Sequence, residues 1–316
     1  MAVLGVSIGK IRLKNPVMTA SGTFGYAREF EKLVNLKEIG AIITKTITLN
    51  PRIGNPMPRI YETPSGMLNA IGLQNEGIDN FLEEKMPYLS KIGTPIIVSI
   101  SGNNIDEFFI LAKRFDKVKD ISGIELNISC PNIKGEGWKV KGGGLVAQDS
   151  KATYEVVKAV KKITQKTIIT KLSPNVTDIV EIARAAQDAG SEAVSLVNTF
   201  LGMAIDIETR TPRLGNIRGG LSGPCIKPIA LRMVYDVSKN INIPVIGIGG
   251  IMNSEDAVEF ILAGATAVQV GTANFIEPGA CCKIVSGIEA YLKRHKVERI
   301  QDIRGSLNLQ NKINGK

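Results

Sequence analysis

Eight short apolar runs, each four or five residues long, recur along the whole chain with helical patterns between most of them. They are Pro16–Ala20, Ala41–Lys45, Pro95–Ser99, Gly123–Asn127, Thr167–Lys171, Ala193–Val197, Pro244–Ile248 and Ala267–Val270. Runs this short and this continuously apolar read as parallel strands covered on both faces. Amphipathic helices are predicted from Lys151 to Ile163 and from Asp178 to Ala189, the latter stopped by Gly190. A third, Ser254–Ala263, is read as opening on an N-cap serine with an acidic first turn and closing at Gly264. Alternating strands and helices of this number predict an α/β fold, a (β/α)8 TIM barrel, with an open doubly wound sheet as the alternative. The 316 residues are read as one domain, 1–316.

The residues at the strand ends carry the functional signal. In order they are Ser21, Lys45 with Thr46, Ser99, Asn127, Lys171, Asn198 with Thr199, Gly249 with Gly250, and Gly271 with Thr272. Arbitrary turn residues would not concentrate two lysines, two asparagines and several hydroxyls at one mouth, where barrel enzymes place their sites. The glycine turns after runs seven and eight put backbone amides near helix N-termini, the usual way a barrel holds phosphate. That phosphate belongs either to a substrate or to a cofactor such as FMN.

The run Gly123–Asn127 leads to Cys130 and Pro131, followed by a Gly- and Lys-rich loop through Gly144 that reads as a lid. Most lone cysteines are inert packing residues. A thiol beside lysines has its pKa drawn down from about 8.5 and becomes a usable base near neutrality. Cys225 follows Gly223-Pro224 and is placed near the pocket, whereas Cys281 and Cys282 read as helix packing.

Composition removes several function classes. Four cysteines without a C-x-x-C spacing and a single histidine argue against a zinc site or an iron–sulfur cluster held by this chain. His295, in the basic stretch Lys293–Lys296, reads as a solvated surface residue rather than part of a triad. The net charge of +9 fits a surface that attracts anionic small molecules. Its other reading, nucleic-acid binding, finds scattered lysines and only 5% aromatic residues. No apolar run approaches the ~20 residues of a membrane span, and no signal peptide is read at the start, so the expected location is cytoplasmic.

Five segments together resemble the dihydroorotate dehydrogenases: Asn15–Gly25, Asn69–Asn75, Ser129–Asn132, Lys171–Asn175 and Ile248–Ile251. The likeness runs from about Ile11 to Leu309. Cysteine at position 130, where the membrane-associated class has serine, is similar to the soluble class 1, and Thr23–Phe30 with Asn127–Lys134 looks like its NAD-linked type B. The resemblance implies an FMN-containing barrel that oxidises dihydroorotate to orotate in pyrimidine synthesis. It implies Cys130 as the base that removes the C5 proton while C6 gives a hydride to the flavin. Lys45 would pair with the substrate carboxylate, and Lys171 would lie beside the flavin ring. Asn69, Asn127, Asn198 and Thr199, with the loop Ala70, Ile71, Gly72 and Leu73, would bind the pyrimidine. Ser21, Lys45, Thr46, Ser99, Asn127, Val197, Gly223, Gly249, Gly250, Gly271 and Thr272 would hold FMN.

The resemblance also implies a homodimer flanked by two copies of a subunit carrying FAD and a [2Fe–2S] cluster, through which electrons reach NAD⁺. Two departures are visible. The stretch Lys134–Gly144, with the single tryptophan Trp138, is longer than the usual lid, and Glu76 stands where a proline is expected, a change predicted to loosen the substrate loop slightly. The alternatives weighed are the fumarate-linked type A enzyme, a flavin barrel reducing other pyrimidines, and a non-catalytic RNA-binding protein.

Overall fold

Nearly every residue of the eight runs is buried on both faces, so none of them has a polar side to turn to water. The computed structural model describes residues 2–129 and 146–308. In it the runs form β1 (Val17–Thr19), β2 (Ile42–Ile43), β3 (Ile96–Ile100), β4 (Ile121–Asn127), β5 (Thr167–Lys171), β6 (Ala193–Leu196), β7 (Val245–Ile248) and β8 (Ala267–Val270). The sheet order is β1-β8-β7-β6-β5-β4-β3-β2, with every pairing parallel. A bridge between Met18 and Ala41 joins its two ends. The sheet therefore closes on itself as a (β/α)8 barrel, and the open-sheet alternative is excluded.

Closure depends on side chains as well as backbone, because β2 is only two residues long. Thr19 N donates to the Ala41 carbonyl at 3.2 Å. Its hydroxyl accepts the Ile43 N–H at 3.0 Å, standing in for a ladder carbonyl. At the opposite end of the barrel a hairpin, Val6–Ile8 with Ile11–Leu13, forms a floor. Its Gly9 turn lies against Thr167 at the start of β5, whose hydroxyl accepts the Lys10 N–H at 3.0 Å.

The longer outer helices are α1 (Ile105–Asp116), α2 (Ser150–Lys161), α3 (Ile179–Asp188), α4 (Lys227–Ser238), α5 (Ser254–Leu262) and α6 (Ala280–Arg294). In α1, Phe108, Leu111, Ala112 and Phe115 are the buried face, at the i, i+3, i+4, i+7 spacing that makes one apolar stripe. The N-cap of α5 is Asn253 rather than Ser254: Asn253 Oδ1 accepts the Asp256 N–H, and Asp256 returns the bond to the Asn253 N–H. Serine is equally good at capping, so only the three-residue offset to Asp256 reveals which residue does it.

Two connections grow beyond helices. Those after β2 and β6 contribute Ile60–Thr63, Gly66–Asn69, Phe200–Met203 and Arg218–Ser222 to a four-stranded antiparallel sheet. The sequence reading leaves these strands out, since none is a continuous buried apolar run and two of them alternate in burial. Among the described residues no helix is long and apolar enough to cross a membrane.

Phe260 on α5 is fully buried against β7, where a side chain at Gly247 would come within 2.5 Å of its ring. Phe260→Ala is expected to cost about 3–5 kcal/mol of unfolding free energy, measured by urea denaturation. A loss below about 1 kcal/mol would show that this contact does not hold α5 to the barrel.

Candidate active site

At the C-terminal mouth of the barrel, seven strand ends and the antiparallel sheet enclose one cavity. Ser21, Lys45, Thr46, Asn127, Lys171, Val197, Asn198 and Thr199 reach it from β1, β2, β4, β5 and β6. Gly249, Gly250, Gly271 and Thr272 reach it from β7 and β8, while Gly223 approaches from the turn before α4. Asn69, Ile71, Gly72 and Leu73 line its outer wall. Two predicted residues stand elsewhere. Ser99 is fully buried behind Thr46, and Ala70 packs with Leu68 and Leu214 in a small separate core. Cys130 and the lid Lys134–Gly144 lie outside the described residues.

The polar side chains are fixed by one another. Thr46 Oγ1 lies 2.9 Å from Ser99 Oγ and accepts from Asn127 Nδ2 at 3.0 Å. Asn127 Oδ1 accepts from Ser129 Oγ at 3.4 Å. Asn198 Nδ2 donates to Ser129 Oγ and to its carbonyl, at 2.9 and 3.0 Å, and Asn198 Oδ1 accepts the Thr199 N–H at 2.8 Å. This chain of bonds sets which way each amide faces, and an amide with both a donor and an acceptor suits the edge of a pyrimidine-like ring.

Two residues absent from the predicted site position others in it. Asn175 Nδ2 donates to the Thr199 carbonyl at 3.0 Å and its Oδ1 accepts the Leu201 N–H, so it sets the path after β6. Ser129 holds Asn198, as above. Both belong to motifs visible in the sequence; their roles are not, because the contacts cross between strands. The apolar wall (Ile60, Met67, Ile226, Ile248, Met252, Phe275) gives no sequence signal distinct from ordinary core.

The loop Asn69–Leu73 is strained. Leu73 has φ 56°, a left-handed conformation that a branched side chain rarely adopts. Buried Asn75 anchors it, donating to the Leu73 carbonyl at 2.7 Å and accepting from Thr48 N and Gly77 N. Glu76, expected to loosen the loop, forms an ion pair with Lys85 at 3.2 Å, while Asn75 does the anchoring.

The only ionisable residues lining the cavity, among those described, are Lys45 and Lys171. Burial holds the Lys45 ammonium below the usual lysine pKa, partly opposed by the carboxylates of Glu29 and Glu76. Lys171 Nζ donates to Ser21 Oγ at 3.3 Å. A third lysine, Lys227 at the start of α4, is already paired: the hydrogen bond its ammonium donates to Asp256 at 2.6 Å raises its pKa, and it donates a second to Glu259 at 3.0 Å.

The turns after β7 and β8 have the form of an anion cradle. Gly249 and Gly250 have φ values of 128° and 73°, and a Cβ at Gly250 would sit 2.7–2.9 Å from the first residue of α4. Only glycine lets this turn approach the N-terminus of α4, where backbone N–H groups favour negative charge.

The remaining cysteines and the histidine are accounted for. Cys225 is exposed and outside the cavity lining, with Sγ 3.7 Å from the Ser222 carbonyl; partial burial raises its pKa. Cys281 is buried in α6, as the sequence reading expects, and Cys282 is half-buried there. His295 is exposed just beyond α6, with its ring 4.3 Å from that of Tyr291.

A closed barrel with glycine turns after β7 and β8 and a cationic, amide-lined mouth has the form of a barrel enzyme whose site suits an anionic ligand. Residues 3–292 match the family model described as dihydroorotate dehydrogenase. The chain belongs to that family. It is 56% identical over 306 residues to the dihydroorotate dehydrogenase B (NAD(+)), catalytic subunit, of Geobacter metallireducens, covering 97% of this chain and 98% of that one. The protein of the same name from Bacteroides thetaiotaomicron is 54% identical over 309 residues, covering 98% and 100%. In fold, the chain is similar to the dihydroorotate dehydrogenase of Eimeria tenella solved with ferulenol, with a TM-score of 0.77 at 23% identity over 96% of this chain and 88% of that one.

Asn75→Ala removes the anchor of the Leu73 turn and leaves buried backbone groups without partners. Its expected cost is roughly 1–3 kcal/mol in denaturant unfolding. An unchanged midpoint would remove Asn75 from this role.

Proposed function

We propose that this chain is the FMN-binding catalytic subunit of an NAD-linked dihydroorotate dehydrogenase, oxidising dihydroorotate to orotate in pyrimidine synthesis. The observation that carries the reading is the cavity's charge pattern: two lysines and a glycine anion cradle, with no carboxylate among its described lining residues. Such a pocket suits a ligand set carrying a phosphate at one end and a carboxylate at the other. The near-full-length relatives named as type B catalytic subunits support the NAD-linked form.

The cradle residues fit a flavin phosphate. Gly249, Gly250, Gly271, Thr272 and Gly223 would hold it, with Ser21, Thr46, Asn127, Val197 and Lys171 around the ring and Ser99 acting through Thr46. When bound, FMN supplies the two-electron acceptor for the hydride leaving C6. Lys45 pairs with the substrate carboxylate; a half-buried ammonium is poorly solvated and gains more from that pairing than an exposed one would. Asn69, Asn127 and Asn198, with Thr199 and the strained loop Ile71–Leu73, hold the pyrimidine's amide edges. Cys130 takes the C5 proton. General-base roles of this kind contribute about 10²–10⁴-fold to rate.

A single domain of this chain forms a homodimer and binds two copies of an FAD- and [2Fe–2S]-bearing subunit, which passes the electrons to NAD⁺ in the cytoplasm. Exposed Ile53, Met57, Ile205, Ile207 and Ile217 support an assembled state, since such apolar exposure is common at interfaces.

Cys130→Ala is expected to keep FMN and bind orotate while losing at least ~100-fold in turnover at neutral pH. Normal turnover would remove Cys130 as the base. Lys45→Ala is expected to weaken orotate binding at least tenfold by spectral titration; unchanged affinity would remove its carboxylate contact. Turnover with fumarate by the isolated chain, and none with NAD⁺ plus the electron-transfer subunit, would reassign the protein to type A. Reduction of uracil in preference to oxidation of dihydroorotate would reassign its substrate.

A further inference from the structure

Beneath the cavity the barrel interior holds a carboxylate that the proposed function does not use. Glu125 is fully buried in β4, two residues before Asn127. Its Oε2 accepts from Ser195 Oγ at 3.0 Å and from Gln269 Nε2 at 2.7 Å, residues of β6 and β8. Its Oε1 accepts no hydrogen bond from a described residue and lies 4.0 Å from Lys171 Nζ. Lys171 is 6% exposed, and its one hydrogen bond to a described residue goes to the neutral Ser21 hydroxyl.

Only two carboxylates are buried among the described residues, Glu125 and Asp256. Asp256 is matched to Lys227 at 2.6 Å. Among the described residues, Lys171 is the cation that Glu125 meets. The remaining groups packed around this pair on the neighbouring strands (Ile169, Ser195, Gln269) do not ionise, and the other cation of the cavity is Lys45. A buried charge without a counter-charge is costly, and removing one member of a buried pair strands the other.

We propose that Glu125 is a positioning residue that acts through Lys171. It holds the ammonium at the cavity floor and offsets its charge, and thereby sets how strongly that cation favours the reduced, anionic state of a flavin bound above it. The second half rests on the FMN reading given above; the first half does not.

Two measurements separate them. The first is a thermodynamic cycle on the full chain without added flavin, comparing Glu125→Gln, Lys171→Met and the double variant by urea denaturation. Pairing predicts that the double variant is at least as stable as Lys171→Met alone, because the stranded carboxylate is gone. Additive losses would overturn the pairing. Should Glu125→Gln fail to fold alone, Lys171→Met and the double variant still decide the matter.

The second is the two-electron reduction potential of FMN-loaded protein. Glu125→Gln removes a negative charge and leaves the lysine's charge uncompensated. The potential is expected to rise by a tenfold change in the reduction equilibrium, about 30 mV. Lys171→Met is expected to move it the opposite way. A Glu125→Gln potential equal to that of the unmodified chain would overturn the tuning role, since a purely structural residue would leave it unmoved. A chain that takes up no FMN would break the flavin reading instead, while the stability cycle still decides the ion pair.

Discussion

The hydroxyl of Thr46 ties the ends of the first half of the barrel together. Strand β2 is only two residues long, but backbone bonds from Thr44 N to the Ile97 carbonyl and from Ile47 N to the Ser99 carbonyl carry its pairing with β3 past Lys45 and Thr46, which it delivers to the mouth. Thr46 Oγ1 meets Ser99 from β3 and Asn127 from β4, and Asn127 leads through Ser129 to Asn198 after β6. Four strand ends are thus linked by side chains at the level where the ligand would lie. Low dielectric strengthens each of these bonds and makes each unpaired member expensive, so the arrangement tends to be kept whole.

Charge follows the same division between shell and floor. Among its described residues the cavity wall carries cations without carboxylates, which suits anionic ligands. Acids sit just outside it: Glu125 lies under Lys171, while Asp256 and Glu259 on α5 pair with Lys227, which is not part of the lining. Asp256 also accepts the Met252 and Asn253 N–H groups, so one carboxylate caps α5, fixes the turn after β7 and orients Lys227. The glycines of that turn are then free to approach the start of α4.

Much of this was legible in the sequence, for identifiable reasons. Continuous apolar runs announce buried parallel strands, and a polar residue directly after each run has only one place to go, the mouth of the barrel. In the structure Lys45, Asn127, Lys171 and Asn198 do line the cavity, as that logic expects of their position. It fails for Ser99, because an inward-facing residue one layer lower looks the same in sequence. It fails for Ala70, which lies just past the strand Gly66–Asn69 and packs with Leu68 and Leu214, contacts that only the folded chain creates. The positioning roles of Ser129, Asn175 and Asn75 stayed hidden because each depends on contacts that only the folded chain creates. Glu125 lies inside a run read as an apolar strand, and its contact with Lys171 on the next strand exists only in the folded barrel.

The central claim is that this mouth binds a flavin that dihydroorotate reduces. The most direct test is to load the purified chain with FMN, record its visible spectrum without oxygen, and add dihydroorotate. The account predicts a flavin band that bleaches on addition. A chain that neither carries nor takes up FMN, or a bound flavin that stays oxidised with dihydroorotate in the presence of the electron-transfer subunit, would contradict it.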